Sequence, residues 1–284
     1  MLQRLNDCLD YIEEHLEDEI DLDVLSSMAY VSRFHFQKMF HMLTGYTFAE
    51  YIRRRRLTLA VQELTSPNRK VIDIAIKYGY ETPESFSKAF RKVHGISPSQ
   101  VRDSSQVLKA FPRISFQISI KGEREMNYRF VDKENVEIVG KGIRVSTVNN
   151  ENLKKIPLFW EEVNSQGIPE HLCELTGGMN VLGVCMDYDH EKEEFTYFIG
   201  VENPKSVSID GYDKKSISAS TWAVFESVGA MPHAIQAVWK RIYSEWFPST
   251  GYQHAGGPEF ELYLPGDITS EDYISEIWVP VKKQ

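Results

Sequence analysis

Set against itself at an offset of fifty residues, the chain aligns VSRFHFQKMFHMLTGYTF (31–48) with ETPESFSKAFRKVHGISP (81–98). Phe36 meets Phe86, Lys38 meets Lys88, Phe40 meets Phe90, Gly45 meets Gly95 and Thr47 meets Ser97. Upstream, Leu25 and Ala29 fall opposite Ala75 and Gly79, and Tyr30 opposite Tyr80. A unit that occurs twice must bury the same face twice, so the amino-terminal region is limited to a tandem of one supersecondary motif. In each copy the pattern predicts a short helix, a tight turn and a second helix. Val71 to Tyr78 carries apolar residues at helical spacing, Gly79 permits the turn, and Thr82 with Pro83 is an N-cap followed by proline at the first helical position. Ser32 takes the cap in the first copy.

Phe36, Met39, Phe40 and Leu43 share one face, as do Phe86, Ala89, Phe90 and Val93, and these faces are expected to be core. Opposite them lie Phe34, Gln37, Lys38 and His41 in the first copy and Glu84, Ser87, Lys88 and Arg91 in the second. Glutamine can pair with adenine and an apolar ring can touch a thymine methyl, so such a face suits reading base edges. Packing of Phe34 on a neighbouring helix is the alternative. Between the copies, Phe48 to Leu64 reads as one helix with an Ile52, Leu57, Ala60, Val61, Leu64 stripe. Its Arg53–Arg56 run spreads around that helix, leaving one or two guanidinium groups for phosphate or acidic partners.

The net charge of −9 hides a segregated pattern. Residues 1–30 hold one Lys or Arg against nine Asp or Glu, residues 31–102 hold 13 against 5, and 103–284 hold 18 against 27. A basic block flanked by acid is the electrostatic footprint of a nucleic-acid-binding module joined to an acidic domain.

Residues 5–102 resemble the DNA-binding domain of the AraC/XylS family of bacterial transcription regulators, on the pattern Ala75-x3-Gly79-Tyr80-x5-Phe86-x3-Phe90-Arg91-Lys92-x2-Gly95-x-Ser97-Pro98-x2-Val101-Arg102. Val101 departs from the family's usual aromatic, and Lys38 stands where arginine is common. The resemblance implies two helix-turn-helix units, about 21–45 and 71–95, held by the 48–64 helix and placing two recognition helices in successive major grooves. Phe34, Gln37, Lys38, His41, Glu84, Ser87, Lys88 and Arg91 are the DNA-binding residues expected on that basis.

From Val107 onward the pattern turns to alternation, as in ISFQISIKG (114–122) and MNYRFV (126–131). Then strand 136–146, helix 155–167, strand 181–188 and strand 195–202 are followed by strand 216–227, helix 231–247, strand 259–266 and strand 274–281. Two strand-helix-strand-strand repeats imply a pseudo-symmetric α+β domain. At 284 residues two domains are the default: an all-α double helix-turn-helix domain over 1–105, a linker over 106–125 and the α+β domain over 126–284.

All five tryptophans lie in the second domain, at 160, 222, 239, 246 and 278, and two or three of them are assigned to a ligand pocket. On the 259–264 strand Glu259, Glu261 and Tyr263 face one way and Phe260, Leu262 and Leu264 the other. Tyr197, Trp222, Phe225, Tyr263 and Trp278 are the candidate walls. The domain resembles the GyrI-like effector-binding domain of Rob-type and multidrug-sensing regulators. The resemblance is carried by WAVFESVG (222–229), Trp246-Phe247-Pro248-x2-Gly251-Tyr252, Gly257-Pro258-x-Phe260-Glu261-Leu262-Tyr263 and Ile277-Trp278-Val279-Pro280-Val281. It implies that Glu261 counters a bound cation; a solvent-facing glutamate is the alternative.

The three cysteines are scattered and read as reduced packing residues, and the dispersed histidines predict no metal site. Neither a cofactor nor a catalytic residue is expected, since hydrolase and phosphate-loop signatures are absent from the sequence. The longest apolar run, 181–186, falls far short of the roughly 20 residues that span a bilayer, so no membrane segment and a cytoplasmic location are expected. The resulting expectation is a ligand-responsive transcription regulator, an activator in preference to a repressor. Its partners would be double-stranded DNA, an amphipathic effector, cationic by preference, and RNA polymerase. A small-molecule hydrolase and a sequestering protein are the alternatives.

Overall fold

The computed structural model describes residues 2–66, 69–103, 108–116, 125–147, 151–189, 192 and 194–283. Two compact units emerge: Met1–Phe36 with Thr44–Ile120, and Gln37–Leu43 with Lys121–Gln284.

The helical region runs α1 (Leu2–Glu14), α2 (Leu22–Ala29), α3 (Arg33–Thr44), α4 (Phe48–Leu64), α5 (Val71–Lys77) and α6 (Pro83–His94), closed by a 3-10 turn over Pro98–Asp103. The two expected caps form, Thr82 accepting from the Ser85 N–H at 3.1 Å and Ser32 from the His35 N–H at 3.3 Å; Thr47 caps α4 as well, accepting from the Glu50 N–H at 3.2 Å. Leu57, Ala60 and Leu64 of α4 pack with Ile74, Ala75, Tyr78, Phe86 and Phe90. Val101, in place of an aromatic, is buried in the same cluster, so the shorter side chain still closes the domain. Ile52 and Val61 are only half-buried, and Phe48 and Tyr51 complete the α4 stripe instead.

Arg55 and Arg56 tie α4 to α1. Arg55 grips the Glu13 carboxylate at 2.6 Å and the Phe111 carbonyl at 2.6 Å, while Arg56 donates to the Leu16 and Asp18 carbonyls just past the end of α1. The first part of the expected linker is therefore packed. The Phe111 N–H donates to Thr58 Oγ1 at 3.0 Å, and the Phe116 backbone pairs with the Asn6 amide through two 2.9 Å bonds. No strand forms over 114–116, because those backbone groups are taken by side chains; residues 106–107 and 117–124 lie outside the described residues.

The second unit holds β1 (Tyr128–Lys133), β2 (Val136–Ser146), α7 (Glu151–Ser165), α8 (Ile168–Thr176), β3 (Val181–Asp189), β4 (Glu194–Glu202), β5 (Asp213–Ile217), β6 (Ser220–Val228), α9 (His233–Arg241), β7 (Tyr252–His254), β8 (Glu259–Tyr263) and β9 (Ile274–Lys283). The sheet order is β1-β6-β9-β8-β3-β4-β2-β5, with β7 on β9, and the pairings are antiparallel. This is the expected α+β architecture: β2-α7-β3-β4 and β6-α9-β8-β9 are the two copies, joined where β3 meets β8. The helix expected over 155–167 forms as α7 and stops before Gly167, which turns left-handed at φ +63; α8, beyond that range, is an additional helix that the pattern does not predict. The strand expected over 216–227 is broken into β5 and β6. One sheet face carries the core, in which Leu182 and Val184 of β3 meet Phe260 and Leu262 of β8.

Candidate functional site

The other face of the middle strands is polar. Backbone pairing sets Gly183 beside Glu261, Cys185 beside Glu259 and Val181 beside Tyr263, and on the next strand Tyr197 beside Cys185. Strict alternation along β8 therefore points Glu259, Glu261 and Tyr263 away from the Phe260–Leu262 core, as the sequence predicts. Trp160 on α7 and Trp239 on α9 reach the same face. The Trp160 indole N–H donates to the Tyr197 hydroxyl at 2.9 Å, and its ring meets the Tyr263 ring edge-on at 5.0 Å.

Glu261 is held from both sides: the Trp239 indole N–H donates to one carboxylate oxygen at 2.7 Å and the Tyr263 hydroxyl to the other at 2.6 Å. Burial, reinforced by the Glu261 charge, pushes the Tyr263 and Tyr197 phenols well above their ordinary range, so both stay neutral. The arrangement keeps a carboxylate aimed among aromatic rings.

Glu259 is 1% exposed, with the Tyr243 hydroxyl at 3.4 Å and His254 Nε2 at 3.7 Å. Its close partner is Lys38, whose ammonium also lies 3.8 Å from the centre of the Trp239 ring. Burial works to lower the Lys38 pKa, but Glu259, with Glu261, outweighs it and holds the amine charged. Burial likewise pushes the Cys185 thiol up to about 12, so this side chain remains protonated.

Three of the five expected wall residues lie elsewhere. Trp222 and Trp278 are on the opposite face, packed with Phe260 in the core, because alternation on β6 and β9 turns them away from Glu261. Phe225 is fully buried against Trp246 and Tyr128. Tyr197 and Tyr263 hold their expected places, and Trp160 and Trp239 supply the rest of the aromatic surface from the helices. Glu259 was legible as the i−2 neighbour of Glu261 on an alternating strand.

Among the expected DNA-reading residues, Glu84, Lys88 and Arg91 on α6 are exposed and Ser87 is half-buried. On α3 the expected outward face is less open. Phe34 is 9% exposed, as an aromatic ring gains by leaving water, and Gln37 and His41 are half-buried. Gln37 accepts from the Thr147 hydroxyl at 3.1 Å, while Lys38 is drawn to the carboxylates just described.

Residues 126–282 match the GyrI-like small molecule binding domain, and residues 25–104 match a helix-turn-helix domain. The chain is 25% identical over 276 residues to the transcriptional regulator Rob of Salmonella typhimurium, covering 93% of this chain and 91% of that one. It is 36% identical over 100 residues to the regulatory protein SoxS of the same organism, covering 35% of this chain and 94% of SoxS. It is 39% identical over 98 residues to the HTH-type transcriptional activator AarP of Providencia stuartii, covering 34% of this chain and 73% of AarP. Among the described residues no helix is long and apolar enough to cross a membrane. A duplicated helix-turn-helix region followed by an acidic, aromatic sheet face has thus been matched domain by domain: the chain belongs to the GyrI-like small molecule binding domain family and is a transcription regulator with an AraC-type DNA-binding domain.

Proposed function

We propose that the GyrI-like domain senses an amphipathic organic cation and that its occupancy controls promoter binding by the helix-turn-helix domain. The observation that carries this reading is the Glu261 carboxylate, fixed by Trp239 and Tyr263 among rings. A half-buried carboxylate amid aromatics is costly without a positive partner, and an aromatic cation supplies both charge and stacking surface. That the same surface tolerates a desolvated cation is supported by Lys38, which sits over the Trp239 ring. With both of its oxygens already accepting hydrogen bonds, Glu261 is fixed as an anchor, so we read the domain as a binder and not a hydrolase.

On the DNA side, Glu84, Ser87, Lys88 and Arg91 of α6, the more open of the two expected faces, are proposed to meet the duplex, with activation as the output; AarP, a relative over this region, is a transcriptional activator. The test is calorimetric titration with crystal violet, a flat triaryl cation, followed by mobility shift on promoter DNA. Glu261→Gln keeps the side-chain volume and is expected to weaken cation binding by about 10- to 100-fold. Lys88→Ala with Arg91→Ala, both exposed, is expected to abolish the shift while circular dichroism stays unchanged. Equal cation affinity in Glu261→Gln overturns the sensing role, and an unaltered shift overturns the α6 assignment.

A further inference from the structure

The helical unit has a cleft of its own, unrelated to the sheet face. About 540 Å³ lies open between α4, α6 and the packed segment at 109–111, within the range that small-molecule sites occupy. Arg53 and Arg54 project into it from α4, Lys92 from α6 and Lys109 from the segment; Glu50 is the single acidic residue in the lining. Arg54 is accounted for. It pairs with Glu50 one turn away, and its guanidinium lies 4.8 Å from the centre of the Tyr46 ring and 5.4 Å from that of Phe111. Arg53, Lys92 and Lys109 enter no ion pair among the described residues.

Beneath these three cations the lining is apolar, formed by Val93 and Ala89 of α6 with Ala110 and Phe111. The wall that carries Phe111 is fixed, since its carbonyl accepts from Arg55 and its N–H donates to Thr58. Like charges gathered around an apolar floor repel one another until an anion joins them, and a floor of this kind rewards a ring on that anion. The recognition-side residues of α6, Glu84, Ser87, Lys88 and Arg91, are not in the lining.

We infer that this cleft is a second ligand site, in the DNA-binding domain itself, for a small aromatic anion such as an aryl phosphate, whose charge is met by Arg53, Lys92 and Lys109 and whose ring lies on Val93 and Phe111. Backbone phosphate of DNA offers the same charge without the ring, and the experiment separates the two. The full-length protein is titrated calorimetrically with phenyl phosphate and with inorganic phosphate, each with and without a duplex of its promoter. Phenyl phosphate is expected to bind at least about tenfold more tightly than inorganic phosphate, because only it covers the apolar floor. Arg53→Gln with Lys92→Gln, two exposed changes checked by circular dichroism, is expected to weaken phenyl phosphate at least about tenfold; Glu261→Gln is expected to leave it unchanged. Saturating DNA is expected not to displace it. Absence of phenyl phosphate binding overturns the inference, as does binding indifferent to the double variant. Equal affinity for the two phosphates with displacement by DNA also overturns it, and reassigns the cations to the DNA backbone.

Discussion

In the middle of the sheet β3 and β8 lie side by side, each the strand that follows the helix of its own repeat, and their site-facing positions have opposite character. β8 presents Glu259, Glu261 and Tyr263; β3 presents Cys185, Gly183 and Val181 directly beside them. One copy provides charge and the other provides room. At Gly183 a Cβ atom would fall 2.5 Å from the Tyr197 hydroxyl oxygen and 3.2 Å from Trp160. The tyrosine–tryptophan wall can stand against the carboxylate only because its neighbouring strand has no side chain there. The core-facing positions of the same strands are alike, with Leu182 and Val184 against Leu262 and Phe260. A duplicated scaffold thus repeats its packing positions and differs at the positions on its polar face.

The largest effect expected from breaking this division is on the packing side. Trp222→Ala removes a ring that is 1% exposed in the core and should cost about 3–5 kcal/mol in urea unfolding of the sheet unit. Crystal violet affinity, measured where the variant is still folded, should be preserved. A tryptophan that walled the ligand would show the reverse, with affinity lost and stability nearly kept, and that result would return Trp222 to the site.

Next comes the empty position. Gly183→Ala should destabilise by about 1–3 kcal/mol through overpacking and weaken cation binding as the wall moves. Tyr197→Phe in the same chain removes the nearest clashing atom and should restore part of the melting temperature. If Gly183→Ala alone changes neither quantity, the contrast between β3 and β8 carries no functional weight.

Much of this was readable from the residues and some was not, for physical reasons. The fifty-residue repeat, the Thr82–Pro83 cap and the alternation along 259–264 are local patterns, and local patterns transmit directly into structure. Alternation states that Trp222 and Glu261 each lie on one face of a strand; it does not state whether those faces are the same one. That depends on register through β9, where Val224 pairs with Trp278 and Trp278 with Phe260, a relation set by long-range pairing. Trp160 and Trp239 reach the site from helices, so their contribution depends on how α7 and α9 lie on the sheet. The arginine run shows the same limit. Four identical side chains divide into two structural ties, Arg55 and Arg56, and two that border a cleft, Arg53 and Arg54, only once α1 and the 108–116 segment are in place.

The helical duplication contains the same kind of difference on a smaller scale, at its turns. In the second copy the left-handed residue is Gly79, at φ +77; in the first, α2 continues to Ala29, the partner of Gly79 in the alignment, and Tyr30 takes the left-handed conformation at φ 58. Left-handed geometry costs a residue with a Cβ about 1–2 kcal/mol. Tyr30 is offset by the Arg4 guanidinium, 4.1 Å from the centre of its ring, a contact of about 0.5–1 kcal/mol at an exposed site. Gly79→Ala should therefore be the more harmful change, since its Cβ would also lie 2.8 Å from Arg56 Nη1 and disturb the tie to α1. Tyr30→Gly should change stability by no more than about 1 kcal/mol, because relief of strain is opposed by glycine's entropy and the lost ring contact. In an Arg4→Ala background the ring contact is already gone, and Tyr30→Gly should become stabilising by about 0.5 kcal/mol more than in the native chain. Urea unfolding of the four chains of this cycle decides the matter: strict additivity would mean that Arg4 does not hold Tyr30 in place, and that the first turn tolerates its tyrosine for some other reason.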